Sequence, residues 1–125
     1  MTTILIIEDQ QDNRDIYERW LLREGYKLLY ARDGIEGVSL AQHHRPDLVL
    51  MDILMPYLNG WNTTRQLRLG AQTRHIPIIA VSAIPEDEGR GQSLAVGCDD
   101  FFAKPVNFPM LLVRIKELLN KSKDK

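Results

Sequence analysis

Leu48-Val49-Leu50-Met51-Asp52 is an unbroken apolar run that ends on a carboxylate. It shows no polar alternation, so it reads as a strand buried on both faces. The same pattern recurs along the chain. Ile4-Leu5-Ile6-Ile7 runs into Glu8-Asp9 and Ile78-Ile79-Ala80-Val81 into Ser82, and a strand Asp100-Phe101-Phe102-Ala103, apolar after its first residue, runs into Lys104. Leu28-Leu29-Tyr30-Ala31 is a further strand, and Arg32-Asp33 after it reads as a connection and a helix cap.

Amphipathic stretches fill the gaps. Residues 12–24 read as a helix with Ile16, Trp20 and Leu21 inward, stopped by Gly25. Asp33 caps a second helix carrying Ile35, Val38 and Ala41 at helical spacing, and Pro46 ends it. Pro56 and Gly60 bracket a turn before a helix from Trp61 to Leu69. Another helix runs from Pro85 to Val96, although Gly89 and Gly91 weaken its first half by roughly 1 kcal/mol each relative to alanine. Those glycines either permit close packing or keep the helix near an order–disorder balance. Asn107 caps a last helix with Leu111, Leu112, Ile115, Leu118 and Leu119 inward. Five strands each followed by a helix predict an α/β fold, a doubly wound parallel sheet of (βα)5 type with right-handed crossovers. In such folds ligands sit beyond the carboxyl ends of the strands.

Composition excludes several classes. The chain has 125 residues, a net charge of −1 and 26% charged residues, so no bulk field favours nucleic acid or a membrane surface. Cys98 is the single cysteine, which rules out an intrachain disulfide and a four-cysteine zinc site and suits a reducing, cytoplasmic setting. The first apolar run is too short for a secretory segment and leads into acid, and no run approaches the ~18 apolar residues of a membrane span. One domain over 1–125 is expected, with its core at about 3–120 and a polar, lysine-rich tail at 121–125. His43, His44 and His75 are scattered and lack ligand spacing, so they read as surface residues. Trp20 and Trp61 read as core or half-buried packing, and Cys98 as a small core residue.

The residues just past the strands carry the chemistry. Glu8, Asp9 and Asp52 bring carboxylates to one edge of the sheet, Ser82 a hydroxyl and Lys104 an amine. Clustered carboxylates repel and call for a cation, and an all-oxygen site with few protein ligands suits Mg²⁺. A metal there leaves open positions for phosphoryl oxygens, to which Lys104 adds a compact positive charge and Ser82 a hydroxyl donor. Together they match phosphoryl transfer to a carboxylate, with Asp52 as the acceptor.

At these positions the sequence resembles the receiver domains of two-component response regulators, of the CheY-like kind. The resemblance runs from Ile4 to about Leu119 and rests on Glu8-Asp9, Asp52-Ile53-Leu54-Met55-Pro56 with Gly60, Ser82-Ala83 and Lys104-Pro105. It implies a flavodoxin-like sheet of strand order 2-1-3-4-5. It also implies that Asp9, Asp52 and the backbone carbonyl of Leu54 ligate Mg²⁺, with Glu8 acting through a water. Ser82 and Phe101 become the switch pair, and Lys104-Pro105 a cis peptide. Glu8 stands where the family more often has Asp, Phe101 where it more often has Tyr, and Leu54 sets an apolar side chain near the phosphoryl group. Asn13-Arg14 resembles the receivers of hybrid histidine kinases and the single-domain DivK-like kind.

The implied function is a phosphorylation switch, not an enzyme acting on another substrate. Its partners would be a histidine kinase or histidine phosphotransfer protein and a downstream target, with neither nucleic acid nor membrane, as a monomer or weak dimer. The target would dock on the fourth helix, fifth strand and fifth helix, where Phe108 and Met110 are candidate contacts; Met110 reads equally well as core. A receiver fragment of a hybrid histidine kinase is an alternative. Two other classes are disfavoured. A haloacid-dehalogenase-like phosphatase wants an aspartate where Leu54 stands, and a flavodoxin-like carrier wants a phosphate loop where the acidic Glu8-Asp9-Gln10-Gln11-Asp12 stands. A degenerate receiver that only binds partners is disfavoured because the acceptor, metal and lysine positions are all filled.

Overall fold

The computed structural model describes residues 1–55 and 59–123. The chain order is β1 (Thr3–Ile7), α1 (Gln11–Leu22), β2 (Lys27–Ala31), α2 (Gly34–His44), β3 (Leu48–Asp52), α3 (Gly60–Leu69), β4 (Ile78–Ser82), α4 (Glu86–Val96), β5 (Asp100–Ala103) and α5 (Phe108–Lys123). The strands form one parallel sheet in the order β2-β1-β3-β4-β5. This is the doubly wound arrangement that the alternating pattern predicts. Pro56 of the expected turn and residues 124–125 of the expected tail lie outside the described residues.

The unbroken apolar runs have a direct cause. β3 and β4 are buried along their whole length, and β1 is buried from Ile4 on. Side chains alternate across the sheet, so each run serves two cores. Ile4, Ile6, Leu48, Leu50, Ile79 and Val81 pack on one face with Tyr17 and Leu21 of α1 and Leu111 and Ile115 of α5. Leu5, Ile7, Val49, Met51, Ile78 and Ala80 face the other core with Ala41, Leu67, Cys98 and Phe101. Burying each large aliphatic side chain contributes about 1.5–3 kcal/mol, so these strands carry much of the stabilisation of the fold.

Two helix faces differ from expectation. Ile16 is 40% exposed, and Tyr17 takes the inward position above Leu21. Ile35 is 63% exposed, and α2 instead buries Gly34, Gly37 and Ala41. Small residues let α2 lie close on β1: a Cβ on Gly37 would collide with Ile7 Cδ1. α1 also ends at Leu22, earlier than predicted, and Gly25 takes φ +84° in the turn that follows.

The caps follow the sequence. Asp33 Oδ1 accepts from the Glu36 amide at 2.8 Å, and Asn107 Oδ1 from the Met110 amide at 3.2 Å. Pro85 precedes the acidic first turn Glu86-Asp87-Glu88 of α4, whose charges suit the helix dipole. Trp20 stacks on Phe108 at 5.2 Å, and the half-buried Trp61 donates from Nε1 to Ser93 Oγ at 3.0 Å. The three histidines are exposed and Cys98 is buried. Among the described residues no helix is long and apolar enough to cross a membrane.

Candidate functional site

Strand register assembles the site. β1 and β3 are neighbours, with Ile7 opposite Met51, so Glu8 and Asp9 follow β1 where Asp52 ends β3. Asp52 pairs with Val81 and Ser82 with Ala103, which sets Lys104 beside the same edge. The carboxylates of Glu8, Asp9 and Asp52 offer oxygens all within 4.8 Å of one another. Lys104 Nζ donates to Asp52 Oδ2 at 3.0 Å and lies 3.6 Å from Glu8 Oε1. The other Asp52 oxygen, Oδ1, accepts from the Leu54 amide at 3.1 Å.

The charges do not balance. At that spacing and a surface-like dielectric, each carboxylate pair repels by roughly 3 kcal/mol. Among the described residues one ammonium faces three carboxylates. Glu8 is 1% exposed, and its Oε1 has no hydrogen-bond partner among the described residues. Burial first, and then the neighbouring Asp52 charge, push the Glu8 carboxyl up to about 7. Burial opposes the Lys104 charge, but the Asp52 carboxylate, and then Glu8, outweigh it and raise the ammonium above its ordinary value. An all-oxygen donor set, an excess of negative charge and an unsatisfied buried oxygen fit a small, hard divalent cation.

Among the described residues neither switch candidate is hydrogen-bonded to the carboxylates. Ser82 is fully buried, and its Oγ accepts from the Ile84 amide at 3.1 Å. Phe101 is 1% exposed, its ring turned into the core beneath α4. Leu54 is 56% exposed, so its side chain borders the site from solvent while its amide holds Asp52. The Lys104–Pro105 peptide bond is cis. Phe108 is half-buried, edge-on to Tyr17 at 5.8 Å and stacked on Trp20, which leaves little of it for a partner. Met110 is 61% exposed, so it is surface and not core.

Two features were missed in the sequence. Arg14 Nη1 donates to the Glu8 carbonyl at 2.8 Å and so braces the loop that carries Glu8 and Asp9. Arg90 of α4 and Arg114 of α5 both bind Asp100 of β5, at 2.8 and 2.7 Å. Charged partners at helical spacing, Glu86 with Arg90 and Arg114 with Glu117, were the available local signal. The bridge through Asp100 joins three elements and leaves no local trace. It crosses a groove of about 590 Å³ that Met110 and Val113 also line.

Known proteins share this arrangement. The sequence profile of the response regulator receiver domain matches residues 4–116. The polar-differentiation response regulator DivK of Brucella anthropi is 34% identical over 117 residues, which cover 94% of this chain and 95% of that protein. The signal receiver domain of a signal transduction histidine kinase from Syntrophus aciditrophicus superposes with a TM-score of 0.92 at 32% identity, covering 100% of this chain and 95% of that one. The receiver domain of sensor histidine kinase PA1611 from Pseudomonas aeruginosa has a magnesium ion coordinated in its active site cleft. It superposes with a TM-score of 0.88 at 33% identity, covering 95% of this chain and 98% of that one. With that profile spanning the chain and the acidic cluster and lysine at the strand ends, this protein belongs to the response regulator receiver domains of two-component signalling systems.

Proposed function

We propose that Asp52 accepts a phosphoryl group from a phosphohistidine donor, a histidine kinase or histidine phosphotransfer protein. An Asp52 carboxylate oxygen bonds to phosphorus, the P–N bond of the donor breaks, and its electron pair leaves with the imidazole. The product is an acyl phosphate on Asp52. The observation that carries this reading is Lys104 Nζ on Asp52 Oδ2 at 3.0 Å, inside a cluster that has carboxylates to spare. Asp52 is held at its other oxygen by the Leu54 amide, which fixes the carboxylate for attack.

Asp9, Asp52 and the Leu54 carbonyl would hold Mg²⁺, with Glu8 reaching it through a water. Bound there, the ion would neutralise charge on the phosphoryl oxygens. The Lys104 ammonium then shifts its hydrogen bond from the Asp52 oxygen to a phosphoryl oxygen. Ser82 leaves the Ile84 amide and donates its hydroxyl to another. Phe101 moves into the space that Ser82 leaves, and the change reaches α4, β5 and α5, where the target binds.

The donor's histidine-bearing helix would dock beside α1. Ile16, exposed there, lies with Asn13, Lys104, Pro105 and Phe108 around a groove of about 220 Å³ next to the site. An apolar residue at the mouth of a charged site suits a partner that must exclude water during transfer. The protein acts in this reading as a cytoplasmic monomer or weak dimer of one receiver domain. The two receivers of histidine kinases among its structural relatives favour a second reading, a receiver within a hybrid kinase. Phosphoryl flow separates them: such a receiver passes its group on to a phosphotransfer domain.

Incubation with acetyl phosphate or phosphoramidate, with and without Mg²⁺, tests the reaction by intact mass. The wild type gains one phosphoryl group in the presence of the metal, and Asp52→Asn gains none. Labelling of the mutant, or labelling indifferent to Mg²⁺, refutes the mechanism.

A further inference from the structure

The loop that carries Glu8 and Asp9 joins β1 to α1. The Glu8 amide donates to the Ala31 carbonyl at 2.9 Å, which ties the start of the loop to β2. The Gln10 amide donates to Glu8 Oε2 at 3.2 Å. Gln10 is also the N-cap of α1, and its side chain makes no capping bond, so the helix starts without the usual polar cap.

Arg14, in the first turn of α1, reaches back to this loop. Its Nη1 donates to the Glu8 carbonyl at 2.8 Å, and its Nη2 to Gln11 Oε1 at 2.7 Å. Gln11 Nε2 in turn donates to Asp15 Oδ1 at 2.8 Å, which fixes the amide that receives the guanidinium. The rigid fork therefore spans one acceptor in the loop and one in the helix. The Glu8 carbonyl belongs to the Glu8–Asp9 peptide, and that planar unit sets the direction in which Asp9 leaves the backbone.

Lys104 acts differently. It binds Asp52 Oδ2 at 3.0 Å and lies 3.6 Å from Glu8 Oε1, so it competes with a cation for the same oxygens. Arg14 gives both of these bonds to neutral acceptors, a carbonyl and an amide oxygen. Mg²⁺ demands near-ideal octahedral geometry, so a small turn of the Asp9 carboxylate lowers its affinity. We infer that Arg14 is a positioning residue whose fork orients the Glu8–Asp9 peptide for Mg²⁺, and so strengthens binding of a cation although it is itself positive. The inference rests on the reading of Glu8, Asp9 and Asp52 as the metal site.

Charge and positioning predict opposite signs. Deleting a cation near three carboxylates should tighten Mg²⁺ binding, whereas losing the brace should weaken it. Mg²⁺ alone is titrated into the folded full chain by calorimetry. Arg14→Lys keeps the charge and the stem but replaces the fork with one ammonium, and Arg14→Met removes both charge and fork. Each should bind Mg²⁺ on the order of 10-fold more weakly than the wild type, the size typical of a group that orients a metal ligand. Arg19→Met deletes the same charge from an exposed position on the same helix and should bind at least as tightly as the wild type. In phosphoramidate labelling, the Mg²⁺ concentration for half-maximal rate should rise by the same factor in Arg14→Lys, and saturating Mg²⁺ should recover most of the lost rate. If Arg14→Met does not fold in chelator, Arg14→Lys decides. An Arg14→Lys as tight as the wild type, an Arg19→Met weakened as much as Arg14→Met, or a loss confined to the saturated rate overturns the inference. A wild type that binds no Mg²⁺ overturns the inference and the metal site together. The expected order of affinities in a protein whose wild type takes no phosphoryl label sinks the receiver mechanism only.

Discussion

Replacing Lys104 with methionine keeps the length of the side chain and removes the one ammonium that, among the described residues, contacts Asp52 and Glu8. Asp52 and Glu8 are nearly inaccessible to water, at 8% and 1% side-chain exposure, so the loss is not repaired by hydration. At 3.0 Å and an effective dielectric of about 20, the gross attraction is roughly 5 kcal/mol, and the desolvation of Lys104 that is no longer required offsets part of it. The net destabilisation is about 2–4 kcal/mol in metal-free protein, a large share of the ~5–15 kcal/mol that holds a domain of this size. Urea unfolding in chelator, at about pH 8 where Glu8 is charged, should therefore show a clearly lower midpoint with an unchanged slope. Excess Mg²⁺ should narrow the gap, and the ion should bind the variant several-fold more tightly, because the competing ammonium is gone. A variant as stable as the wild type in chelator, or one that binds Mg²⁺ more weakly, would refute this account of the charge balance.

Other consequences are more local. Leu50→Ala, at a position 1% exposed in the centre of the sheet, should cost about 2–5 kcal/mol in equilibrium unfolding without altering the labelling site. Asp100 is partly buried, which alone would raise its pKa, but its bond from the Phe101 amide and its pairs with Arg90 and Arg114 outweigh that and hold it below its ordinary 3.8. Its contribution is then full above that value and lost as pH falls through the lower folded value, so the stability gap between wild type and Asp100→Asn should close on acidification. Leu54→Asn puts a polar group beside the phosphoryl site and should speed autodephosphorylation several-fold, measured by loss of the acyl phosphate.

The strand ends were legible because a strand buried on both faces has to be apolar throughout, so the first polar residue after it marks the sheet edge. Glu8, Asp52 and Ser82 were visible for that reason, while Lys104 follows β5, which opens on Asp100 and is fully buried only at Phe101, and was visible by its place after Phe101-Phe102-Ala103. Helix faces were harder to read. Ile16 and Ile35 are more hydrophobic than Tyr17 or Gly37, but α1 buries the larger ring, and α2 approaches β1 through its small residues. Close approach is a property of two surfaces, and the sequence shows one at a time. The Asp100 bridge was out of reach for a similar cause, since its partners come from separate helices. Gly89 and Gly91 are identical in sequence terms, and the Phe101 ring beneath one of them is what makes them different.

The most direct test of the central claim is the position of the phosphoryl group. Protein treated with phosphoramidate and Mg²⁺ is reduced with borohydride, which converts an aspartyl phosphate to homoserine, and then sequenced by mass spectrometry. Homoserine at 52, abolished by chelator, is the predicted result. Phosphoryl transfer to a different side chain, or none at all in folded protein supplied with the metal, would contradict it.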